Sequence, residues 1–223
     1  MGYLSINLQL RDKPIVIIGG GTVAQRKAGN IIPAGAKVTI ISPTISFELQ
    51  RMRDDGIIGH IHRGYEPGDL AGAFMAIAAT GDHAINQAVA EEASSRGILA
   101  EVVDNPAAGN FTSPAVIRQG DLSIAISTNN KAPALSAVIK RELSDLFGPE
   151  YALTVRLLGD IREKLLTEGA ASTYNKQVLG ELAEQLPQLF LAGAKTGIVE
   201  LLQQKLGAGF SPALIEAVLE DPQ

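Results

Sequence analysis

Ile15-Val16-Ile17-Ile18-Gly19-Gly20-Gly21-Thr22-Val23-Ala24 is an apolar run of strand length that leads directly into a glycine turn and then into a helical pattern. Gly19, Gly21 and Ala24 fit the G-x-G-x-x-A fingerprint of a Rossmann unit. In such a unit the first glycine makes the tight turn, the second lets the backbone approach a pyrophosphate, and the third small residue lets the helix pack against the strand. The helix amino terminus also offers free N–H groups to phosphates. The alternative interpretation is a glycine-rich turn that holds no ligand.

Length, charge and cysteine content limit the class of protein. The 223 residues suffice for one large domain or two small ones. The sequence has no cysteine, which excludes disulfides, thiolate metal sites and cysteine nucleophiles and favours a cytoplasmic location. With a net charge of −5 and scattered Lys and Arg, we expect no nucleic-acid partner. The amino terminus lacks the features of a secretion signal, and the short, broken apolar runs predict no membrane-spanning segment.

Strands and helices are predicted to alternate in the first half of the chain. Apolar runs predict strands at 13–18, 37–42, 57–62, 74–79, 98–103 and 123–127. Apolar residues at helical spacing predict helices at 23–32, 47–53 and 82–96. This alternation is typical of an α/β fold with a doubly wound, mostly parallel Rossmann sheet.

The second half of the chain is predicted to be helical. From residue 134 onward we expect helices at 134–147, 151–166, 178–190, 197–206 and 211–219. Small and polar residues predict a loop at 168–176. The boundary between the two halves is expected near 110–114, so that a helical carboxy-terminal domain follows the α/β domain.

Ligands of open α/β sheets bind beyond the carboxyl ends of the strands. Four predicted segments lie there, at 19–21, 42–44, 79–82 and 104–106. NAD-binding units often place Asp or Glu after the second strand, where this chain has Ser42, Pro43 and Thr44. No Arg or Lys stands there for a 2′-phosphate, and the hydroxyls of Ser42 and Thr44 can bond a ribose. These residues favour NAD over NADP.

Asp104 is the candidate catalytic residue. It ends the apolar run 98–103, and a strand there would deliver its carboxylate to the crevice. A carboxylate in that place can act as a general base, or it can position a substrate by accepting hydrogen bonds. The alternative is structural, because Asp and Asn before Pro commonly open turns, as in Asp104-Asn105-Pro106.

Four blocks of sequence together resemble the precorrin-2 dehydrogenase / sirohydrochlorin ferrochelatase family, which also forms the amino-terminal module of siroheme synthases. Residues 19–27 resemble its G-G-G-x-V-A-x-R-K signature. The other blocks are 76–80 followed by Asn86, 102–104 followed by Phe111 and Pro114, and 125–128. The resemblance extends from about residue 4 to residue 143.

The resemblance implies an activity and a set of partners. Members oxidise precorrin-2 to sirohydrochlorin with NAD⁺ as hydride acceptor, and some also insert Fe²⁺ to give siroheme. Members are homodimers whose second domain builds the partner contact and part of the substrate cleft. We accordingly expect an NAD-binding Rossmann domain at 1–112, a dimerisation and substrate-cleft segment at 113–148, and a helical domain at 149–223.

The resemblance and the strand-end positions together give a predicted site. The family's essential aspartate falls on Asp104. The residues predicted to contact NAD are Gly19, Gly21, Thr22, Val23, Ser42, Pro43, Thr44, Ala79, Thr80 and Asp82. The residues predicted to contact the substrate are Asn105, Ser127, Thr128 and Lys131, and no residue is predicted to be a metal ligand.

The sequence departs from the family pattern in two places. Asn129-Asn130 stands where the family has Gly-Gly, and we expect Asn to keep the left-handed turn. Ala132-Pro133 replaces Ser-Pro, so Pro133 suits the first helical position but Ala132 is a poor cap. We hypothesise that residues 128–132 hold a substrate carboxylate.

The basic side chains of the second half and the three histidines are each interpreted as part of a site or as ordinary structural residues. Arg118, Lys131, Lys140 and Arg141 either meet substrate carboxylates or are plain surface charges. His60 and His62 alternate on the predicted third strand and are expected to lie away from the crevice, as a metal pair or as solvent-facing side chains. His83 follows Asp82 near the dinucleotide crevice, and we interpret it as the residue that opens a helix.

Two other functions fit the same sequence. An NAD-sensing regulatory module would bind the dinucleotide without turnover. A chelatase that lacks dehydrogenation would insert metal without NAD⁺, and Asp104 would serve there too.

We predict that Lys131→Ala raises the KM for precorrin-2, because it removes a cation beside the uncapped helix start. Steady-state kinetics of the variant measures this, and an unchanged KM would refute the hypothesis that residues 128–132 bind a carboxylate.

Overall fold

A computed structural model of the chain describes residues 2–167 and 172–207. The chain divides into two units, Met1–Ser113 and Pro114–Gln223. Within the described residues, no helix is both long enough and apolar enough to cross a membrane.

The first unit is a parallel sheet with helices between its strands. Its strands are β1 (Pro14–Ile18), β2 (Lys37–Ile41), β3 (Ile58–Ile61), β4 (Met75–Ala78) and β5 (Leu99–Val102). Its helices are α1 (Thr22–Ile31), α2 (Phe47–Asp54) and α3 (His83–Arg96). The strand order is β3-β2-β1-β4-β5, with every neighbouring pair parallel. The order reverses between β1 and β4, which is where such sheets bind their ligands.

The sheet is covered by apolar side chains on both faces. On β1, Ile15 and Ile17 point to one face, where they cluster with Ala24 of α1 and Leu49 of α2. Ile18 belongs to the opposite face, in the cluster that contains Val89, Ala90 and Ala93 of α3. Alternate residues of a strand point to opposite faces, so a strand buried on both faces needs the continuous apolar run seen here. The doubly wound α/β prediction is confirmed.

In the part of the second unit that the structure describes, a small sheet is followed by four helices. Strands β6 (Ala115–Gln119) and β7 (Leu122–Ile126) form an antiparallel pair. The helices are α4 (Pro133–Leu146), α5 (Glu150–Thr167), α6 (Ser172–Leu191) and α7 (Lys195–Leu206). The core of α5, α6 and α7 consists of buried aliphatic and aromatic side chains, namely Leu157, Ile161, Leu165, Val178, Leu182, Leu186, Phe190, Ile198, Leu201 and Leu202.

The sixth predicted strand, at 123–127, exists but does not belong to the parallel sheet. It corresponds to β7, which pairs with the unpredicted β6 in a two-stranded sheet of its own. Gly120 and Asp121 join the two strands, and Gly120 has a left-handed φ of +55°. A glycine turn between alternating segments is a hairpin signal, and it was present in the sequence.

The predicted loop at 168–176 is wrong for residues 172–176. Helix α6 begins at Ser172, six residues before Val178, which belongs to the core of the helices. Packing of the later turns supports the helix, and adding a polar turn at its start then costs little. The helix predicted at 211–219 lies outside the described residues.

A buried ion pair links α1 to β5. The Lys27 Nζ donates to Glu101 Oε2 at 2.6 Å, and both side chains are less than a tenth exposed. Ser113 donates to the same carboxylate from its backbone N, at 2.8 Å to Oε1, and from its Oγ, at 2.8 Å to Oε2. A carboxylate that is paired and hydrogen-bonded in this way is tolerated in a core, but it depends on each of its donors.

We predict that Lys27→Met lowers the free energy of unfolding by about 3 kcal/mol, because Glu101 is left buried without its cation. Lys37→Met is the matched control, since Lys37 pairs with Asp12 on the surface, with both side chains 71% exposed. Such an exposed pair contributes about 0–1 kcal/mol. Urea unfolding followed by circular dichroism measures both variants, and equal losses would contradict the assignment.

Candidate functional site

The glycine turn after β1 is held between two neighbouring loops. A Cβ on Gly19, whose φ is +115°, would lie 2.4 Å from the carbonyl oxygen of Ala79. A Cβ on Gly20 would lie 2.0 Å from the carbonyl oxygen of Thr44. A Cβ on Gly21, in contrast, would have no heavy atom within 4 Å. Gly19 and Gly20 therefore serve backbone packing, whereas Gly21 faces open space beside the turn.

The amino terminus of α1 opens onto that space. Gly21 is the N-cap, no side chain caps the helix, and its first turn has no acidic residue. The first N–H groups of a helix have no partner within the helix, and they carry the positive end of its dipole. An uncapped helix start beside an open glycine fits a pyrophosphate, with Thr22 and Val23 supplying N–H groups.

The loop after β2 is arranged differently from the prediction. The Ser42 hydroxyl donates to the carbonyl oxygen of Thr44 at 2.7 Å, so its proton shapes the loop and is not offered to a ribose. Pro43 and Thr44 are exposed. His60 on β3 contacts this loop, since its Nε2 is 2.9 Å from the carbonyl oxygen of Ser42.

The loop after β4 is fixed by one buried amide. Asn86 is fully buried on α3, and its Oδ1 accepts from the Thr80 hydroxyl at 2.7 Å and from the Thr80 N at 3.2 Å. Its Nδ2 donates to the carbonyl oxygen of Thr80 at 3.1 Å and to Asp104 Oδ1 at 2.9 Å. Asp82 caps α3 by accepting from the backbone N of Ala84 at 2.8 Å. Asn86 thus joins the loops after β4 and β5.

Asp104 presents a partly exposed carboxylate between two donors of α3. Its side chain is 38% exposed, and its Oδ2 lies 2.9 Å from Nδ1 of His83. The hydrogen bond from His83, with a further one from Asn86, lowers the pKa of Asp104 below its ordinary value. The carboxylate is therefore ionised at neutral pH. His83 does begin α3, as expected, but the prediction missed its contact with Asp104.

The turn after β5 uses the residue next to Asp104. The carbonyl oxygen of Asn105 accepts from the backbone N of Ala108 at 3.0 Å. The side-chain oxygens of Asp104 are directed to His83 and Asn86 instead. The turn and the carboxylate are thus separate features of this segment.

The predicted substrate residues of the second unit lie in the loop between β7 and α4. The Thr128 Oγ1 accepts from the backbone N of Ala132 at 3.2 Å, and its carbonyl oxygen accepts from the Lys131 N at 3.0 Å. The Ser127 Oγ accepts from the backbone N of Asn129 at 3.2 Å. These bonds close a compact loop in front of α4.

The two departures from the family pattern have the expected backbone. Asn129 has a φ of +51° and Asn130 a φ of +60°, so both are left-handed. Ala132 is the N-cap of α4 and gives no side-chain hydrogen bond, and Pro133 is the first helical residue.

Two family models match the chain. Residues 6–115 match a family described as putative NAD(P)-binding, and residues 119–146 match one described as sirohaem biosynthesis protein central. The first match covers the glycine turn and Asp104, and it confirms the prediction of a dinucleotide-binding unit, of the NAD(P) class.

Relatives with similar sequences are siroheme synthases. Siroheme synthase 1 of Aeromonas salmonicida is 32% identical over 228 residues, covering 100% of this chain and 49% of the relative. The siroheme synthase of Methylococcus capsulatus is 37% identical over 165 residues, covering 74% of this chain and 35% of the relative. The chain thus spans half or less of the length of these relatives.

A solved structure has the same fold over most of the chain. The structure of SirC, a precorrin-2 dehydrogenase, is 26% identical, has a TM-score of 0.75, and covers 91% of this chain and 98% of that one.

We predict that alanine at Gly20 mainly affects stability, whereas alanine at the adjacent Gly21 mainly affects NADH binding. Gly20→Ala should lower the free energy of unfolding by at least about 2 kcal/mol, because its methyl group meets backbone atoms that cannot move away cheaply. Gly21→Ala should cost no more than about 1 kcal/mol as an N-cap change, but should weaken NADH binding about 10-fold by filling the phosphate approach. Urea unfolding and NADH fluorescence titration measure the two effects. Unimpaired NADH binding by Gly21→Ala would contradict the proposed phosphate position.

Proposed function

Because the chain belongs to the siroheme-biosynthesis family that includes siroheme synthases and the precorrin-2 dehydrogenase SirC, we propose that it oxidises precorrin-2 to sirohydrochlorin with NAD⁺. The observation that carries the proposal is an ionised, partly exposed Asp104 at the same sheet edge as the uncapped start of α1. The start of α1 follows β1, and Asp104 follows β5. These two parallel strands lie on either side of β4, so both end on the same side of the sheet.

Contacts between the loops support one continuous site in the first unit. The backbone at Gly19 packs against Ala79 and Thr80. Thr80 bonds Asn86, and Asn86 bonds Asp104. The dinucleotide contacts that we propose lie in the loops after β1, β2 and β4, beginning at Gly19 and ending at Asp82. The loop after β4 is bonded through Asn86 to Asp104, the proposed catalytic residue.

The reaction removes a hydride and a proton from the macrocycle. When bound, NAD⁺ supplies the hydride acceptor. The α1 N–H groups would hold its phosphates, and the open face of Gly21 would admit them. An oxygen of Asp104 would take the proton from the substrate carbon, which leaves Asp104 neutral until it returns the proton to water. Asn86 and His83 hold that carboxylate in place, which supplies part of the catalysis through orientation.

Binding of the substrate carboxylates is proposed for residues outside the dinucleotide loops. Asn105 follows Asp104 directly, and Ser127, Thr128 and Lys131 belong to the loop before α4. The cations Arg118, Lys140 and Arg141 are further candidates, since bidentate or point-charge contacts suit carboxylates.

The organisation of the whole protein is also a proposal. We propose the division into 1–112, 113–148 and 149–223, and a homodimer in which the middle segment contacts the partner. The exposed apolar side chains of Leu135, Val138 and Leu146 on α4 support this. A cytoplasmic location remains our prediction from the cysteine-free sequence.

Fe²⁺ insertion is a second proposed activity, for which Fe²⁺ is a substrate. The partly exposed Asp104 carboxylate favours this activity too, because it can take the protons that pyrrole nitrogens lose when they bind the metal. Sirohydrochlorin with Fe²⁺ or Co²⁺, assayed without NAD⁺, separates this activity from dehydrogenation. An NAD sensor would bind NADH and leave both substrates unchanged.

We predict that Asp104→Asn lowers the rate of sirohydrochlorin formation by about 100-fold or more, because the amide cannot accept a proton. NADH should bind as before. The absorbance spectrum of sirohydrochlorin, after incubation with precorrin-2 and NAD⁺, measures the rate. Asp121→Asn, in the exposed turn between β6 and β7, is the matched control. A fully active Asp104→Asn variant would overturn the assignment of the base.

A further inference from the structure

We propose that His83 is a positioning residue that holds the Asp104 carboxylate in one orientation by donating a hydrogen bond from Nδ1. This inference rests on the proposed function of Asp104 as a base. His83 touches the carboxylate and not the reacting atoms, so it acts through Asp104.

The geometry places the carboxylate in a two-point clamp. His83 Nδ1 lies 2.9 Å from Oδ2, and Asn86 Nδ2 lies 2.9 Å from Oδ1. His83 and Asn86 are three residues apart on α3, so they lie on one face of its first turn. One donor for each oxygen fixes both the position and the plane of the carboxylate.

The two donors differ in how firmly they are held. Asn86 is fully buried and is bonded to Thr80, so it has one orientation. The His83 side chain is 70% exposed and carries no other hydrogen bond among those found in the described residues. Removing His83 should therefore free one oxygen of Asp104 while the fold and the Asn86 bond persist.

The chemistry of the pair assigns the proton. An ionised carboxylate only accepts hydrogen bonds, so the Nδ1 of His83 must carry the hydrogen. In the neutral tautomer that fits this bond, Nε2 carries no hydrogen. This bond is the largest cause of the lowered pKa of Asp104.

Few other charges act on the pair. The nearest acid along α3 is Asp82, and its Oδ1 accepts from the backbone N of Ala84 and of Ile85. The first turn of α3 contains no acidic residue, and the positive end of its dipole also favours an ionised Asp104. Within the described residues, His83 is the one cationic or potentially cationic side chain found paired with Asp104.

The first test is nuclear magnetic resonance of the free full-length protein. In ¹⁵N spectra at a pH where the ring is neutral, His83 should show a protonated Nδ1, with His62 as an internal reference. In ¹³C spectra the titration midpoint of the Asp104 carboxyl should move to higher pH in His83→Ala and by less in His83→Asn, which keeps an amide donor. A protonated Nε2 in the neutral ring, or an unmoved midpoint in His83→Ala, would overturn the proposal.

The second test separates positioning from structural support. His83→Ala should lower kcat about fivefold to tenfold, the size expected for losing one charge-assisted hydrogen bond at a partly exposed site. NADH affinity should stay the same, and His83→Asn should recover most of kcat. Glu91→Ala is the control, because Glu91 is exposed on the same helix and bonds Gln87 only on the surface.

The outcomes distinguish this inference from the proposed function. An unchanged kcat in His83→Ala with an active wild type overturns the role of His83 alone. If the wild type forms no sirohydrochlorin, the proposed function fails, and the inference that depends on it fails as well. The NMR result then shows whether the clamp itself exists.

Discussion

The site depends on the close approach of the glycine backbone to two neighbouring loops. Gly19 and Gly20 have no room for a Cβ, because carbonyl oxygens of Ala79 and Thr44 occupy that space. This contact brings the loops after β2 and β4 against the turn after β1. It also leaves the start of α1 uncapped beside the open Gly21, which is the arrangement that anion binding requires.

Packing and hydrogen bonds in the first unit hold the two parts of the proposed site, the start of α1 and the Asp104 carboxylate. The buried Lys27–Glu101 pair joins α1, which would hold the phosphates, to β5, which delivers Asp104. The first turn of α3 then sets the orientation of Asp104 through Asn86 and His83. The proposed dinucleotide binding and proton transfer would thus rely on rigid elements, whose orientation is set by packing remote from the reacting atoms.

Local patterns predicted the first unit well, and contacts distant in sequence account for most errors. Continuous apolar runs at β1 and β4 identified buried parallel strands, because a strand buried on both faces needs apolar side chains at nearly every position. The His83–Asp104 bond joins residues 21 positions apart, and no spacing rule could give it. The same holds for the Lys27–Glu101 pair. The missed strand β6 is different, since its turn at Gly120 was visible in the sequence.

A crystal structure with NAD⁺ bound tests the central claim most directly, because the claim concerns where the dinucleotide lies. The account predicts that the pyrophosphate lies within hydrogen-bond distance of the N–H groups of Thr22 and Val23. It also predicts that the nicotinamide lies beside Asp104, beyond the carboxyl ends of β4 and β5. A dinucleotide bound elsewhere, or a nicotinamide directed away from Asp104, would contradict it.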